Sequence, residues 1–269
     1  MEPLIAMTAR DADSPAAPKL SAQGITKSFD GREVLHGISF DVRGGEFLSI
    51  LGPSGCGKST ILRILIGLEH PDAGRVLLDG EDITDAAPSK RHMGIVFQDY
   101  ALFENMTALG NVEYALRFDP ARRARRSQIA LEALASLGMA DYASKPVAGL
   151  SGGQMQRVSI ARTLALNPEV ILLDEPTSGL DADARLALRA QLKDIQRSYG
   201  TTMVFITHDQ EESFALADRV MVMGEGSIHQ LDESLRIVEN PADGYVRDFV
   251  VANLKAKYDS LARFASPLE

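Results

Sequence analysis

An apolar run, "FLSIL", leads straight into "GPSGCGKST" and then into "ILRILIGLEH". No other stretch restricts this chain so tightly. A segment suited to a buried strand is followed by Gly52, Gly55 and Gly57, then by Lys58, Ser59 and a helix pattern. G-x-x-x-x-G-K-[ST] between a strand and a helix has a direct physical reading. Glycines let backbone N–H groups curl around phosphate oxygens while the lysine adds a point charge. Gly52, Pro53, Ser54, Gly55, Cys56, Gly57, Lys58, Ser59 and Thr60 therefore form the predicted phosphate site. Ser59 is expected to place its hydroxyl on Mg²⁺. A ligand-free glycine turn is the plainer alternative, but the fit in strand–loop–helix context favours a nucleoside triphosphate.

"EVILLDEP" supplies what that loop lacks. Its apolar residues predict a buried strand, with Asp174 at the C-terminal end to hold the Mg²⁺ shell. Glu175 then lies beside the metal, where a carboxylate can act as general base toward water. His208, ending "VFITH", and Gln98, after "MGIVF", also follow strands. Open α/β sheets place their ligands at such strand ends. His208 is aimed at the γ-phosphate in this reading, and Gln98 at water or Mg²⁺; alone, each would be an ordinary polar residue at a strand terminus.

The spacing predicts an α/β fold. Short β-type runs between Leu20 and Ile50, punctuated by Asp30-Gly31 and Gly44-Gly45, predict antiparallel hairpins. Beyond them, strands alternate with helices, which implies a mainly parallel, helix-covered sheet. "DARLALRAQLKDIQRSYG" is an amphipathic helix closed by Gly200. A helical block at about 99–165 interrupts the alternation as an inserted subdomain, with "RRSQIALEALASLGM" its clearest helix. Residues 1–18, rich in proline and alanine, read as a disordered tail without the pattern of a signal peptide.

Composition narrows the function classes. A net charge of −9 argues against a nucleic-acid binder. Arg117, Arg122, Arg123, Arg125 and Arg126 read as a solvated helical face rather than a lipid or nucleic-acid patch. The single cysteine, Cys56, excludes an internal disulfide and a cysteine-based zinc cluster. It sits inside the phosphate loop as a small tolerated residue, and its position suggests a useful labelling site. No apolar stretch reaches the roughly 18–20 residues of a membrane-spanning helix, so any work at a membrane goes through partners.

"LSGGQMQRVSIARTL" begins at Leu150. Val158, Ile160, Ala161, Leu164 and Ala165 suit a buried helical stripe, and the preceding serine and glycines suit a helix N-terminus that holds an anion. With "GPSGCGKST", "VFQ", "ILLDEP", "SGLD" and His208 in that order, the chain resembles the ATP-binding subunit of an ATP-binding-cassette (ABC) transporter over about residues 20–250. The resemblance implies a P-loop NTPase domain at 19–250, with ATP and Mg²⁺ as ligands and 251–269 as a C-terminal extension. It also implies that Ser151, Gly152, Gly153 and Gln154 grip the γ-phosphate of ATP on the opposite subunit. Asp181 in "SGLD" would link the two sites of a dimer, either a homodimer or a pair with a second ATPase subunit, and Phe29 would stack on adenine unless it is merely core.

Within that family, "RHMGIVFQDYALFENMTALGNVEYALRF" resembles the importer ATPases of the polyamine, ferric-iron, sulfate and maltose group. Glu104 departs from the proline often found there. The chain stops soon after "NPADGYVRDFV", which is similar to osmoprotectant importers, without the C-terminal regulatory β-domain several of those proteins carry. The implied system has two membrane permease subunits and an extracytoplasmic solute-binding protein. The ATPase itself would be peripheral, on the cytoplasmic face of the inner membrane. An exporter or lipoprotein-release ATPase is the alternative, and a soluble repair or translation protein a more distant one.

Overall fold

The computed structural model describes residues 17–265; residues 1–16, most of the expected tail, and 266–269 lie outside the described residues. A hairpin opens the fold: β1 (Leu20–Phe29) pairs antiparallel with β2 (Arg32–Val42) through Asp30 and Gly31, at φ 50 and 78. Then follow β3 (Phe47–Leu51), α1 (Lys58–Ile66), β4 (Ala73–Leu78), β5 (Glu81–Asp82) and β6 (Met93–Val96). Three helices come next: α2 (Ala108–Leu116), α3 (Arg126–Ser136) and α4 (Gly152–Leu164). The chain returns through β7 (Val170–Asp174), α5 (Ala182–Tyr199), β8 (Thr202–Thr207), α6 (Gln210–Leu216), β9 (Arg219–Gly224) and β10 (Ser227–Asp232). It closes with α7 (Ser234–Glu239) and a continuous helical run: α8 (Gly244–Val246), a π-helical stretch at Arg247–Ala252 and α9 (Asn253–Ala265).

Two sheets form. One is antiparallel in the order β2-β1-β4-β5; the other runs β10-β9-β3-β8-β7-β6, parallel except for the β9–β10 pair. Strands β3, β7 and β8 are nearly continuous apolar runs because both their faces are covered. Their period of two divides the interior. Ile171, Leu173, Met203 and Phe205 face one core with α2–α5, while Val170, Leu172, Val204 and Ile206 face the other with β1, β2 and α1. Met221 and Met223 are fully buried in that second core, as gap-filling methionines should be.

The expected hairpin at Gly44-Gly45 is not one. Those residues do make a turn, but β3 pairs with β8 and β9 in the other sheet, so the turn carries the chain between sheets. The arginine-rich segment does form a solvated surface: Arg117, Arg123, Arg125 and Arg126 are exposed, and Arg122 pairs with Asp119 at 2.6 Å.

The helix that carries the phosphate loop is fixed at its far end by a buried arginine that sequence inspection did not single out. Arg91, 2% exposed, donates from Nη1 to the carbonyls of Ile64 and Leu65, from Nε to Ala86 and from Nη2 to Thr84. The guanidinium thus adds donors to the last carbonyls of α1, of which Ile64 O also accepts from Gly67 N–H, and suits the helix dipole. Gly67 ends the helix at φ 83, and a Cβ there would lie 2.6 Å from the guanidinium. Arg91→Met keeps the apolar stem and removes the donors to the carbonyls of Leu65, Thr84 and Ala86, while Ile64 keeps that of Gly67 N–H. A loss of about 2–4 kcal/mol is expected from unsatisfied buried acceptors. Urea unfolding measures it; an unchanged midpoint would contradict this role.

Candidate functional site

Register brings the functional segments to one edge. Leu51 of β3 is paired with Thr207 of β8, and Asp174 of β7 with Ile206. The phosphate loop, the Asp174-Glu175 pair and His208 therefore all emerge at the C-terminal end of the parallel sheet, where such folds bind ligands.

The loop is built for close approach. A Cβ at Gly52 would lie 2.5 Å from the Met223 carbonyl oxygen. At Gly57, with φ 101, a Cβ would lie 2.6 Å from Leu35 Cδ2, so the loop packs directly on β2. Gly57 caps α1 without any side-chain hydrogen bond, which leaves the helix N-terminus to an anion. Pro53, Ser54 and Gly55 are exposed, and Ser59 and Thr60 half-buried at the start of α1. Lys58 is 5% exposed and donates to the carbonyls of Gly52 at 2.8 Å and Pro53 at 2.9 Å. The lysine is therefore held against the loop that it serves.

Cys56 is only 6% exposed and packs into the core shared with β1 and β2. Burial pushes its thiol pKa up, which disfavours the reactive thiolate. The expectation of a useful labelling site is corrected: the side chain is buried in the core.

Ser59 Oγ donates to Asp174 Oδ1 at 3.1 Å. Burial raises the Asp174 pKa, and the neighbouring Glu175 charge adds to it, against the Ser59 hydrogen bond and the Arg63 and Lys58 charges. A hydroxyl and a half-buried carboxylate, both hard oxygen donors whose desolvation cost a cation would offset, fit Mg²⁺. Glu175 stands at φ 44, a strained position for a residue with a side chain. Its backbone N–H donates to Ile206, and its Oε2 lies 3.2 Å from His208 Nδ1. Gln98 donates from Nε2 to Ser178 Oγ at 3.3 Å, on the turn that follows Glu175. Ser59, His208 and Gln98, from three separate segments, are thus each joined to the segment Asp174–Ser178.

Phe29 is 42% exposed at the end of the β1–β2 hairpin, with Lys27 Nζ 5.2 Å from its ring centroid. The core alternative is thereby excluded, and the ring stands at the hairpin end opposite Arg32 of β2.

The signature segment goes elsewhere. Ser151 and Gln154 form a reciprocal capping box: Gln154 N donates to Ser151 Oγ at 3.3 Å, and Ser151 N to Gln154 Oε1 at 3.0 Å. A Cβ at Gly152 would lie 3.0 Å from Tyr100 Oη, and one at Gly153 3.4 Å from Ala184 Cβ. Asp181 caps α5 by accepting from Ala184 N at 2.8 Å. Ser151–Gln154 are thus gathered with the start of α5. Among the described residues no hydrogen bond or ion pair joins them to Gly52–Thr60. Of the stripe on α4, Val158, Ile160, Ala161 and Ala165 are buried, and Leu164 half-buried.

Sequence inspection missed Glu212, Thr177 and Thr207, which are hydrogen-bonded to one another beside the Glu175 and His208 segments. Nothing in "THDQEES" marks Glu212 as buried; only the fold supplies its partners.

Three comparisons bear on this site. The family model described as "ABC transporter" matches residues 35–178, more than half of the chain. The spermidine/putrescine import ATP-binding protein PotA of Vibrio cholerae serotype O1 is 42% identical over 243 residues, covering 90% of this chain and 64% of that protein. The sulfate/thiosulfate import ATP-binding protein CysA 2 of Chromobacterium violaceum is 46% identical over 242 residues, covering 89% of this chain and 65% of that protein. The chain thus spans less than two thirds of the length of these curated relatives. Among solved structures, the ATP-binding cassette MJ0796, a dimer in a post-hydrolysis state bound to ADP and Pi, matches with TM-score 0.72 and 34% identity. That match covers 80% of this chain and 98% of the other. The architecture is that of a P-loop NTPase, and the chain belongs to the ABC transporter family.

Proposed function

We propose that this chain hydrolyses ATP as one half of a homodimer and so powers solute import through two membrane permease subunits. An extracytoplasmic solute-binding protein would select the solute. The ATPase would sit peripherally on the cytoplasmic face of the inner membrane. Among the described residues no helix is long and apolar enough to cross a membrane. Relatives named as import ATP-binding proteins support the direction of transport. The observation that carries the ATPase reading is the Ser59–Asp174 contact at 3.1 Å, which ties the phosphate loop to the carboxylate preceding Glu175.

In this reading Phe29 stacks on adenine, while the backbone N–H groups of 54–57 and Lys58 hold the phosphates. Ser59, Asp174 and Gln98 would hold Mg²⁺, which when bound neutralises developing phosphate charge. Glu175 accepts the proton of the attacking water. His208 Nδ1, 3.2 Å from Glu175, orients that carboxylate and reaches toward the γ-phosphate. Ser151, Gly152, Gly153 and Gln154 present the N-terminus of α4 to the partner's ATP, the Ser151–Gln154 capping box leaving the Gly152 and Gly153 N–H groups for the phosphate, and Asp181 lies at the boundary between the two sites.

Phosphate release by the purified chain with Mg²⁺ and ATP tests the enzyme. Uptake of solute into vesicles carrying the permease tests the direction of transport, and efflux alone would refute import. Phe29→Ala is expected to weaken ATP binding by about 1–3 kcal/mol, as for bases stacked on protein aromatics, whereas Phe29→Tyr should retain affinity. Unchanged affinity in a folded Phe29→Ala protein would remove Phe29 from the site.

A further inference from the structure

We infer that Glu212 is a positioning residue that holds the Glu175–His208 pair in its working geometry, an inference that rests on the reading of Glu175 as the base.

Glu212 lies on α6 and is 2% exposed. A carboxylate so deeply buried is costly unless it is fully engaged. Its Oε2 accepts two hydroxyl hydrogen bonds, from Thr177 at 2.7 Å and from Thr207 at 3.0 Å. Thr177 follows Glu175 by two residues, and Thr207 immediately precedes His208. One oxygen atom thus ties the turn that carries the carboxylate to the strand end that carries the imidazole. Thr207 also accepts from the Asp209 backbone at 2.9 Å, which fixes the segment on the far side of His208.

The second oxygen serves another element. Glu212 Oε1 lies 3.3 Å from Arg189 Nη2 and 3.5 Å from Arg185 Nε, both on α5. That helix begins at the cap residue Asp181. On the other side, Ser213 Oγ donates to Ser49 Oγ of β3 at 2.8 Å, so α6 is also pinned to the strand that enters the phosphate loop.

This arrangement explains how Glu175 keeps its backbone at φ 44. A strained residue persists only where its surroundings over-determine it. Here the chain on each side of the Glu175–His208 contact is tied to one rigid, buried acceptor. Neither threonine nor Glu212 touches the reacting atoms in this account; they act through the pair that does.

Glu212→Gln is the test, because the amide keeps the size and an acceptor oxygen while losing the charge that holds both arginines and both hydroxyls. ATP turnover at saturating Mg²⁺-ATP should fall about 10- to 100-fold, the scale of a misplacement near 1 Å. KM for ATP and the affinity for a fluorescent ATP analogue should change less than about threefold, because the phosphate loop and Phe29 are untouched. The double variant with Glu175→Gln should be no slower than Glu175→Gln alone, since the two act as a unit. Thr207→Val, which deletes one donor and retains the shape, should reproduce the loss in kcat, and it carries the test by itself if Glu212→Gln does not fold. A folded Glu212→Gln or Thr207→Val protein with normal kcat overturns the inference. So does a loss that lies in KM or in additive slowing of Glu175→Gln. The two readings fail separately: normal turnover by Glu175→Gln refutes the base, whereas an inactive Glu175→Gln beside a normal Glu212→Gln refutes only the positioning.

Discussion

Glu175→Gln is expected to bind Mg²⁺-ATP with near-normal affinity and to hydrolyse it at least about 10²–10⁴-fold more slowly, the contribution of a positioned general base. The substitution is gentle on the structure. Glutamine occupies the same volume at the same backbone position, and its carbonyl oxygen can still face His208 Nδ1, now 3.2 Å from the carboxylate. Lys58, Ser59 and Asp174 stay in place, so the grip on phosphate remains. What is lost is the capacity to accept a proton from water. Hydrolysis should collapse while ATP accumulates on a closed dimer, and phosphate release with dimer mass in the presence of ATP reports both. Turnover close to that of the unaltered protein would show that another group takes the proton.

What the sequence made legible was local, and what it hid was not. The strands β3, β7 and β8 announce themselves as apolar runs, and the phosphate loop is a contiguous motif whose glycines have local reasons. Gly44-Gly45 was misread because a turn's residues reveal that the chain bends, but not which sheet the next strand joins; β3 finds its partners more than a hundred residues away. Cys56 was misjudged for a related reason, since membership of a loop does not tell which way a side chain points. Arg91 and Glu212 carry charges that usually mark a surface. Their burial is intelligible only through carbonyls, hydroxyls and arginines brought from several elements. The capping role of Ser151 was legible as well: Ser-Gly-Gly-Gln before a helix pattern has the spacing of a capping box, and the reciprocal bond with Gln154 forms in the fold.

The second large effect concerns Lys58 and the signature glycines together. Lys58→Ala removes the cation held over the loop carbonyls, and hydrogen bonds to charged groups are worth about 1.5–3 kcal/mol each. With the ammonium also absent from the reaction itself, turnover should fall by two orders of magnitude or more, roughly the cost of losing one such preorganised donor. Gly153→Asp acts differently. Gly153 is in the first turn of α4 without a positive φ, and a Cβ there makes only a tight contact of 3.4 Å with Ala184 Cβ. An acidic residue in the first turn of a helix suits its dipole, so the fold should hold. The new carboxylate instead repels any phosphate brought to that N-terminus. Each variant alone is therefore expected to be folded and nearly inactive.

Isolated heterodimers of these variants, purified through two different tags, measure directly whether the site is shared between chains. A heterodimer of Lys58→Ala with Gly153→Asp unites both defects in one site and leaves the other with an intact phosphate loop facing an intact signature. A heterodimer of unaltered chain with the Lys58→Ala/Gly153→Asp double variant leaves one defect in each site. The account predicts that the first heterodimer recovers a substantial part of the ATP hydrolysis and the second almost none. The reverse order, activity in the second and none in the first, would mean that each chain builds its own site and would contradict the shared-site mechanism.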